Sequence, residues 1–368
     1  MTNNNDDSFE FTLPSKMPCS PGPKRFHKST SETKTYTTTR TQKSLLSIPI
    51  QWLCLESRIP FTIYARPSID KMPAIIDYNR IYTHRYKSKL VKAGIDKCYI
   101  KKESVPELLY YVDNNIETIL SNKDIPPKDK TNLFYYTALR RTKRAFERPG
   151  RESFLRIREI IAITLEDILE DKETINPLFT LMQHNHRSLC KPPIYTFTHS
   201  LNVGILATFF VKRLLNGIDR NNLEMIGLGF LLHDIGMLKV PGRIINKKAS
   251  LNKSDSAVIK QHPQWGYDVM NRVGNIPPEV AYIIMEHHER LDGKGYPFQL
   301  KGESIHLLAR MCAIMDTFDA LISERIHKRA VSIVEALKII QERVPYKYDR
   351  DLFSSLIILL LETGLIRA

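Results

Sequence analysis

The C-terminal half of this chain carries apolar residues at helical spacing, and this pattern limits what the chain can fold into. From Tyr195 onward, apolar residues recur every three to four positions in segments that short polar loops separate. The helix-breaking pair Pro149-Gly150 precedes this region, so we predict an all-α domain over residues 151–368. Its predicted helices are Glu152–Asp171, Phe197–Leu215, Leu223–Asp234, Ser254–Val273, Pro278–His288, Leu307–Leu321 and Ser332–Gln341.

The N-terminal part differs in composition and in pattern. Residues 1–43 are rich in Ser, Thr, Asn, Pro and Lys and poor in large apolar residues, which predicts a disordered tail. Over residues 44–150 we predict a small α/β regulatory module with trailing helices, so the overall fold class is α+β. The module's predicted strands are Phe61–Ala65, Arg80–Thr83 and Lys97–Ile100, and its predicted helices are Tyr86–Ala93, Val105–Leu120 and Lys128–Phe146.

The net charge of +14 at first indicates a polyanion-binding protein. The charge is uneven: residues 1–150 hold 26 basic and 15 acidic side chains, a net of +11, whereas residues 151–368 carry only +3. The N-terminal tail has no Arg/Lys cluster interleaved with aromatic residues, so we expect no specific nucleic-acid binding. A basic arm for a polyanion or a membrane surface remains the alternative interpretation of the N-terminal charge.

Targeting and redox signals favour a cytoplasmic protein. The polar, acidic start of the chain does not resemble a secretory signal, and no apolar run reaches the ~18–20 residues of a transmembrane helix. No Cys-x-x-Cys pair occurs, which argues against a thiolate zinc site and favours reduced thiols. The five scattered cysteines are Cys19, Cys54, Cys98, Cys190 and Cys312.

Histidine and aspartate residues interrupt the apolar helices of the C-terminal half. Burying such groups without partners costs several kcal/mol each, and shared coordination of a divalent metal would offset that cost. Imidazole and carboxylate groups without thiolates suit iron, manganese or zinc with open coordination positions. Any one of them alone is better explained as a hydrogen-bonded core residue, and it is the set of seven that indicates a metal site. The candidate ligands are His199, His233, Asp234, His262, His287, His288 and Asp316, whereas His27, His184, His186, His306 and His327 are predicted to be surface residues.

A glycine-rich string follows the last histidine pair directly. Residues 287–297 read HHERLDGKGYP, in which Asp-Gly and Gly-Tyr-Pro are strong turn signals. A tight loop next to a metal centre is suited to contact a substrate or a partner protein.

These seven residues and the Gly295-Tyr296-Pro297 loop resemble the HD-GYP subgroup of the HD phosphohydrolase superfamily. The resemblance extends from about Phe197 to Glu342, and the N-terminal module is loosely similar to the small domain that often precedes HD-GYP domains in bacteria. It implies a helical HD-type domain and a bacterial signalling phosphodiesterase. Such an enzyme hydrolyses cyclic di-GMP to pGpG or to GMP.

The resemblance also implies roles for individual residues. Two divalent metal ions, most commonly iron or manganese, would lie next to each other, and a hydroxide between them would attack the phosphorus. The implied ligands are His199, His233, Asp234 and Asp316 at one ion and Asp234, His262, His287 and His288 at the other; His233 and Asp234 form the catalytic pair, and Arg325, Lys328, Gly295, Tyr296 and Pro297 contact the substrate.

Three departures from the family pattern leave alternatives open. Met237 occupies the position of a phosphate-binding lysine, and Lys239 would replace it only if the loop turned differently. Tyr195 stands where trinuclear members carry a glutamate, which favours two metals. Arg325-Ile326-His327 replaces the usual Arg-Pro-Tyr. The alternatives are an impaired enzyme that binds cyclic di-GMP or a partner protein through the Gly-Tyr-Pro loop, and a phosphohydrolase for another nucleotide. A homodimer is also left open.

Overall fold

The computed structural model describes residues 45–366 except 66–73, 169–171, 190–193, 216, 248, 275, 324–328 and 345. The predicted tail over residues 1–43 lies outside the described residues. A small sheet at the N-terminal end is followed by helices, which confirms the predicted α+β class. None of the helices in the described part of the chain combines the length and the apolar composition that a membrane span requires.

The N-terminal module contains two small antiparallel sheets. Its strands are β1 Leu45–Pro49, β2 Arg58–Ile59, β3 Ile63–Tyr64, β4 Ala74–Ile76, β5 Arg80–Ile81 and β6 Lys97–Lys101, and α1 covers His84–Lys92. The four-stranded sheet has the order β1-β6-β3-β4, and β2 pairs with β5. The three predicted strands are present as β3, β5 and β6, whereas β1, β2 and β4 were not predicted: β1 ends in a proline, and β2 and β4 are only two and three residues long.

The helix predicted over Val105–Leu120 is in fact two helices, α2 (Val105–Asn114) and α3 (Ile116–Ser121). The break lies at Asn115, whose side-chain amide donates a hydrogen bond to the Tyr111 carbonyl at 2.8 Å. Asparagine side chains compete with the backbone in this way, and the periodicity of apolar residues does not reveal it. The next helix, α4, runs from Pro127 to Glu147, close to its predicted bounds.

The C-terminal region is helical, as predicted. The segment predicted as one helix over Ser254–Val273 is interrupted, because Pro263 lacks the N–H that a continuous helix needs. The helices over Lys172–Leu189 and Gly242–Ile245 were not predicted, and the first of them contains His184 and His186. The helices are α5 Arg151–Ile163, α6 Lys172–Leu189, α7 Ile194–Leu214, α8 Arg220–Leu231, α9 Gly242–Ile245, α10 Lys253–Ile259, α11 His262–Val273, α12 Pro278–Glu286, α13 Leu307–Ile322, α14 Ile333–Gln341 and α15 Arg350–Glu362.

Helix α7 forms the centre of this region. Every residue from Phe197 to Val211 is buried, because α4, α6, α8, α13 and α15 all contact the helix. A helix that is apolar on all sides requires such a surrounding layer. Any polar side chain on this stretch of α7 is therefore held inside the protein.

A buried arginine joins the N-terminal module to the helical region. Arg141 on α4 is only 4% exposed, and its guanidinium lies 2.5 Å from an Asp113 carboxylate oxygen on α2 and 2.9 Å from one of Glu159 on α5. It also donates hydrogen bonds to the carbonyls of Asp113 and Arg156. Since losing one partner of a buried pair is costly, α2, α4 and α5 are held as one unit.

The chain turns tightly after α8 and packs against α11. The turn is a 3-10 helix over Ile235–Lys239. A Cβ atom placed on Gly236 would lie 1.9 Å from the carbonyl oxygen of His262 and 2.5 Å from the amide nitrogen of Gly266. Only glycine allows the two backbones to approach this closely.

We expect Gly236→Ala to lower the free energy of unfolding by about 1–3 kcal/mol or more, because backbone atoms of α11 must move to admit the methyl group. Urea denaturation measures the change. Gly242→Ala is the matched control, since a Cβ there meets only the Asn246 side chain at 3.5 Å. Equal stability of the two variants would contradict the close packing.

Candidate metal centre

Five segments bring the seven predicted ligand residues to one place. They come from the buried helix α7, the turn after α8, the start of α11, the end of α12 and the middle of α13. Within each of two groups, the nitrogen or oxygen atoms lie within 4.8 Å of one another. One group is His199, His233 and Asp316, and the other is Asp234, His262, His287 and His288.

Asp234 lies between the two groups, and each carboxylate oxygen faces a different one. Its Oδ1 is 3.2 Å from His262 Nε2 and 3.7 Å from His287 Nε2. Its Oδ2 is 3.7 Å from His233 Nε2 and 4.0 Å from His199 Nε2. A carboxylate with this disposition can bridge two cations.

The histidines share one orientation. In His233, His262 and His287, Nδ1 lies 2.8–3.0 Å from the carbonyl oxygen three residues earlier. A carbonyl can only accept, so Nδ1 carries the hydrogen and the lone pair of Nε2 points to the centre. In His199, Nδ1 lies 2.7 Å from Oδ2 of Asp319, so this nitrogen donates away from the centre and Nε2 faces it. Metal-ligating histidines are oriented in this way.

Two further observations fit a metal better than an ordinary polar core. His233 Nε2 is buried and has no hydrogen-bond partner among the described residues. The Nε2 atoms of His262 and His287 approach each other to 3.2 Å. An unsatisfied buried nitrogen costs about 1–3 kcal/mol, which a shared cation would offset. The donor set of imidazoles and carboxylates without thiolates suits iron, manganese or zinc.

Burial and mutual contact shift the pKa values of these groups. Burial lowers the pKa of His233 to about 4, so its imidazole is neutral. Burial alone would raise the pKa of Asp234 and of Asp316, but the neighbouring histidines outweigh it and hold both pKa values well below the usual range. For His199, burial acts to lower the pKa, but its hydrogen bonds with Asp316 and Asp319 raise the pKa to about 10.

Two tyrosine rings close the site. The ring of Tyr195 stacks on that of His199, with centroids 5.7 Å apart and planes at 11°. Tyr296 stacks on His288, with centroids 4.8 Å apart, so the predicted Gly-Tyr-Pro loop does lie against the second group. The ammonium nitrogen of Lys260 is 5.3 Å from the centroid of Tyr296, which adds a positive charge on this side.

A buried glutamate that the sequence analysis did not single out holds this loop in shape. Glu289 is 2% exposed, and its carboxylate accepts hydrogen bonds from the backbone N–H groups of Phe298, Gln299 and Leu300 at 2.6–3.1 Å. A Cβ on Gly295 would lie 2.4 Å from the Cα of Glu289, so the loop packs directly on this residue. An acidic residue just before a glycine-rich turn was the available sequence signal.

The remaining candidates are placed differently. The predicted phosphate contacts Arg325 and Lys328 lie outside the described residues. Lys239 is exposed at the end of its turn, and none of its described contacts involves the seven residues. Met237 is half-buried in the same turn. His306, predicted as a surface residue, is half-buried and caps α13 by accepting a hydrogen bond from a backbone N–H.

We expect Glu289→Gln to lower the free energy of unfolding by about 1–3 kcal/mol, because the amide nitrogen cannot accept the hydrogen bonds that the carboxylate accepts. Thermal and urea unfolding measure the loss, and limited proteolysis detects opening of the loop at residues 296–300. Glu303→Gln, on an exposed residue of the same region, is the control. Unchanged stability and protease resistance would show that the loop does not depend on Glu289.

Comparison with known proteins identifies the family. A family model described as HD domain matches residues 165–352, just over half of the chain. The chain is 37% identical over 144 residues to a cyclic di-GMP phosphodiesterase of Pseudomonas aeruginosa, covering 39% of this chain and 34% of that protein. It is 38% identical over 122 residues to the cyclic di-GMP phosphodiesterase response regulator RpfG of Xanthomonas campestris, covering 33% and 32%.

A third relative carries a different substrate in its name. The chain is 31% identical over 163 residues to 3'3'-cGAMP-specific phosphodiesterase 3 of Vibrio cholerae, covering 44% of this chain and 35% of that protein. The chain thus spans about a third of the length of the curated relatives it matches.

One solved structure shares the fold. The HDG"Y"P protein Bd1817 from Bdellovibrio bacteriovorus superposes with a TM-score of 0.58 at 20% identity and covers 86% of this chain and 99% of that chain. This likeness concerns the fold alone. Because the family match spans more than half of the chain and contains the His233-Asp234 pair, the chain belongs to the HD-domain family, as its motifs predict.

Proposed function

We propose that this protein is a metal-dependent phosphodiesterase that hydrolyses cyclic di-GMP to pGpG, to GMP or to both. The observation that carries the proposal is Asp234, whose two carboxylate oxygens face two separate groups of inward-pointing histidines. Relatives named as cyclic di-GMP phosphodiesterases support the substrate class. In this proposal the N-terminal module regulates a cytoplasmic signalling enzyme.

Two divalent ions, iron or manganese, would be held by the two groups, with Asp234 shared between them. Bound divalent ions supply positive charge for the phosphoryl oxygens and lower the pKa of coordinated water. The stacked Tyr195 supports two ions rather than three, because a phenol ring replaces the additional carboxylate at that position.

The chain's own residues orient and shield the reacting groups. His233 and Asp234 form the proposed catalytic pair, held by the turn that Gly236 allows to pack against α11. Tyr296 forms a wall beside His288, and Gly295 and Pro297 shape the loop that would contact the dinucleotide. Arg325 and Lys328 remain proposed phosphate contacts.

A second candidate function is a catalytically impaired protein that binds cyclic di-GMP or a partner protein through the Gly295-Tyr296-Pro297 loop. Met237, in place of the family lysine, favours it. Lys260 is a candidate to supply the missing positive charge, since it lies over Tyr296 at the edge of the second group. Relatives that are specific for 3'3'-cGAMP make that dinucleotide the alternative substrate.

The test uses the full chain loaded anaerobically with iron or manganese and supplied separately with cyclic di-GMP and 3'3'-cGAMP. We expect pGpG or GMP from cyclic di-GMP, resolved by chromatography. His233→Ala combined with Asp234→Ala should reduce turnover by more than about 100-fold, because ligand loss exceeds the effect of losing an outer partner.

Asp268→Asn, on α11 but outside both groups, serves as the control and should retain activity. Faster turnover of 3'3'-cGAMP would correct the substrate. Tight dinucleotide binding without turnover would support the second candidate function. Less than one equivalent of bound metal would contradict the metal centre itself.

We further expect Lys260→Gln to weaken cyclic di-GMP binding by about 10-fold, because a charge-assisted contact to a phosphate is lost. Met237→Lys introduced into that variant should restore binding by supplying a cation from the neighbouring turn. Lys253→Gln on α10 is the matched control. Unchanged KM and Kd in Lys260→Gln would show that Lys260 does not replace the missing lysine.

A further inference from the structure

A second aspartate on α13 stands behind the metal-binding groups. Asp319 lies three residues after Asp316, is fully buried, and has its Oδ2 atom 2.7 Å from Nδ1 of His199. The opposite ring nitrogen of His199, Nε2, is 3.1 Å from Oδ1 of Asp316. The imidazole is therefore clamped between two carboxylates of one helix, and Asp319 determines which nitrogen faces the centre.

Asp319 is itself fixed by neighbouring side chains. Its Oδ1 atom accepts a hydrogen bond from the amide of Asn202 at 2.8 Å and one from the hydroxyl of Ser323 at 3.1 Å. Asn202 lies one turn after His199 on the same fully buried stretch of α7. The carboxylate thus has little freedom to rotate, and neither has the imidazole that it holds.

The hydrogen-bonded chain continues to α4. The hydroxyl of Tyr135, which is fully buried, donates to the side-chain oxygen of Asn202 at 2.9 Å. Two turns further along α4, Arg141 holds Asp113 on α2 and Glu159 on α5. Hydrogen-bonded side chains therefore join His199 to Tyr135 on α4, and the backbone of α4 connects Tyr135 to Arg141.

We propose that Asp319 is a positioning residue for His199, and that Tyr135 and Asn202 couple the position of α4 to the metal affinity of the His199 group. A movement of the N-terminal module that displaced α4 would change metal affinity without touching a ligand residue. This inference rests on the proposed metal centre. The competing explanation is a polar network that only stabilises the core, and the two differ in what a substitution changes.

The experiment measures Mn²⁺ binding to the full chain after treatment with a chelator, by titration calorimetry and by electron paramagnetic resonance. Asp319→Asn should weaken binding at one of two sites by about 10–100-fold, as other outer partners of metal-bound histidines do. The spectrum of a coupled Mn²⁺ pair should give way to that of an isolated ion. Tyr135→Phe should weaken the same site by about 2–10-fold.

Matched controls separate positioning from stability. Tyr110→Phe removes an exposed hydroxyl from α2, and Asp349→Asn removes a partly buried ion pair with Arg310. Both should leave Mn²⁺ affinity unchanged. If Asp319→Asn fails to fold, the Mn²⁺ affinities of Ser323→Ala and Tyr135→Phe test the positioning role instead, because each variant removes one hydroxyl of the same network.

Each outcome bears on a separate claim. Wild-type affinity and spectrum in Asp319→Asn, with lower stability alone, would overturn the positioning role. Weaker Mn²⁺ binding in Asp319→Asn together with unchanged Mn²⁺ binding in Tyr135→Phe would overturn the coupling to α4. If the unmodified chain binds less than one Mn²⁺, the proposed function fails first and this inference with it.

Discussion

The arrangement of this protein depends on the burial of one carboxylate among several imidazoles. Asp234 could not remain ionised inside apolar helices without compensation, because desolvation of a charge costs several kcal/mol. The surrounding histidines supply that compensation and keep the pKa of Asp234 well below its usual range. The five histidines come from four different segments, so the helices must pack in one relative arrangement to bring them together.

The inward orientation of the histidine rings arises in two ways. In His233, His262 and His287, Nδ1 donates a hydrogen bond to the backbone carbonyl three residues earlier, so Nε2 faces inward. Each of these ring orientations is therefore set within a single turn of the chain. His199 has no such local partner, and its orientation comes from Asp319, 120 residues away. The His199 group therefore depends on the packing of α7 against α13, and through Asn202 and Tyr135 on α4 as well.

The loop at the second group shows which structural features the sequence patterns predict and which they do not. Its turn signals predicted a tight loop beside the histidine pair, and the stacking of Tyr296 on His288 agrees with this. Glu289 remained unnoticed because a glutamate in a polar string looks solvent-exposed until its three backbone donors are seen. The helix break at Asn115 was missed for a similar reason, since side-chain competition with the backbone leaves the apolar spacing intact.

The sequence by itself determined the α+β class, most of the helices and the identity of the seven polar residues. The spacing of apolar residues predicts the helices, and polar residues inside apolar helices stand out because burying them is costly. Only the tertiary structure decided which carboxylate oxygen faces which group, and that Asp319, Asn202 and Tyr135 lie behind His199. The contacts behind His199 join residues 67 to 120 positions apart. No local pattern specifies such pairs, since they arise where helices cross.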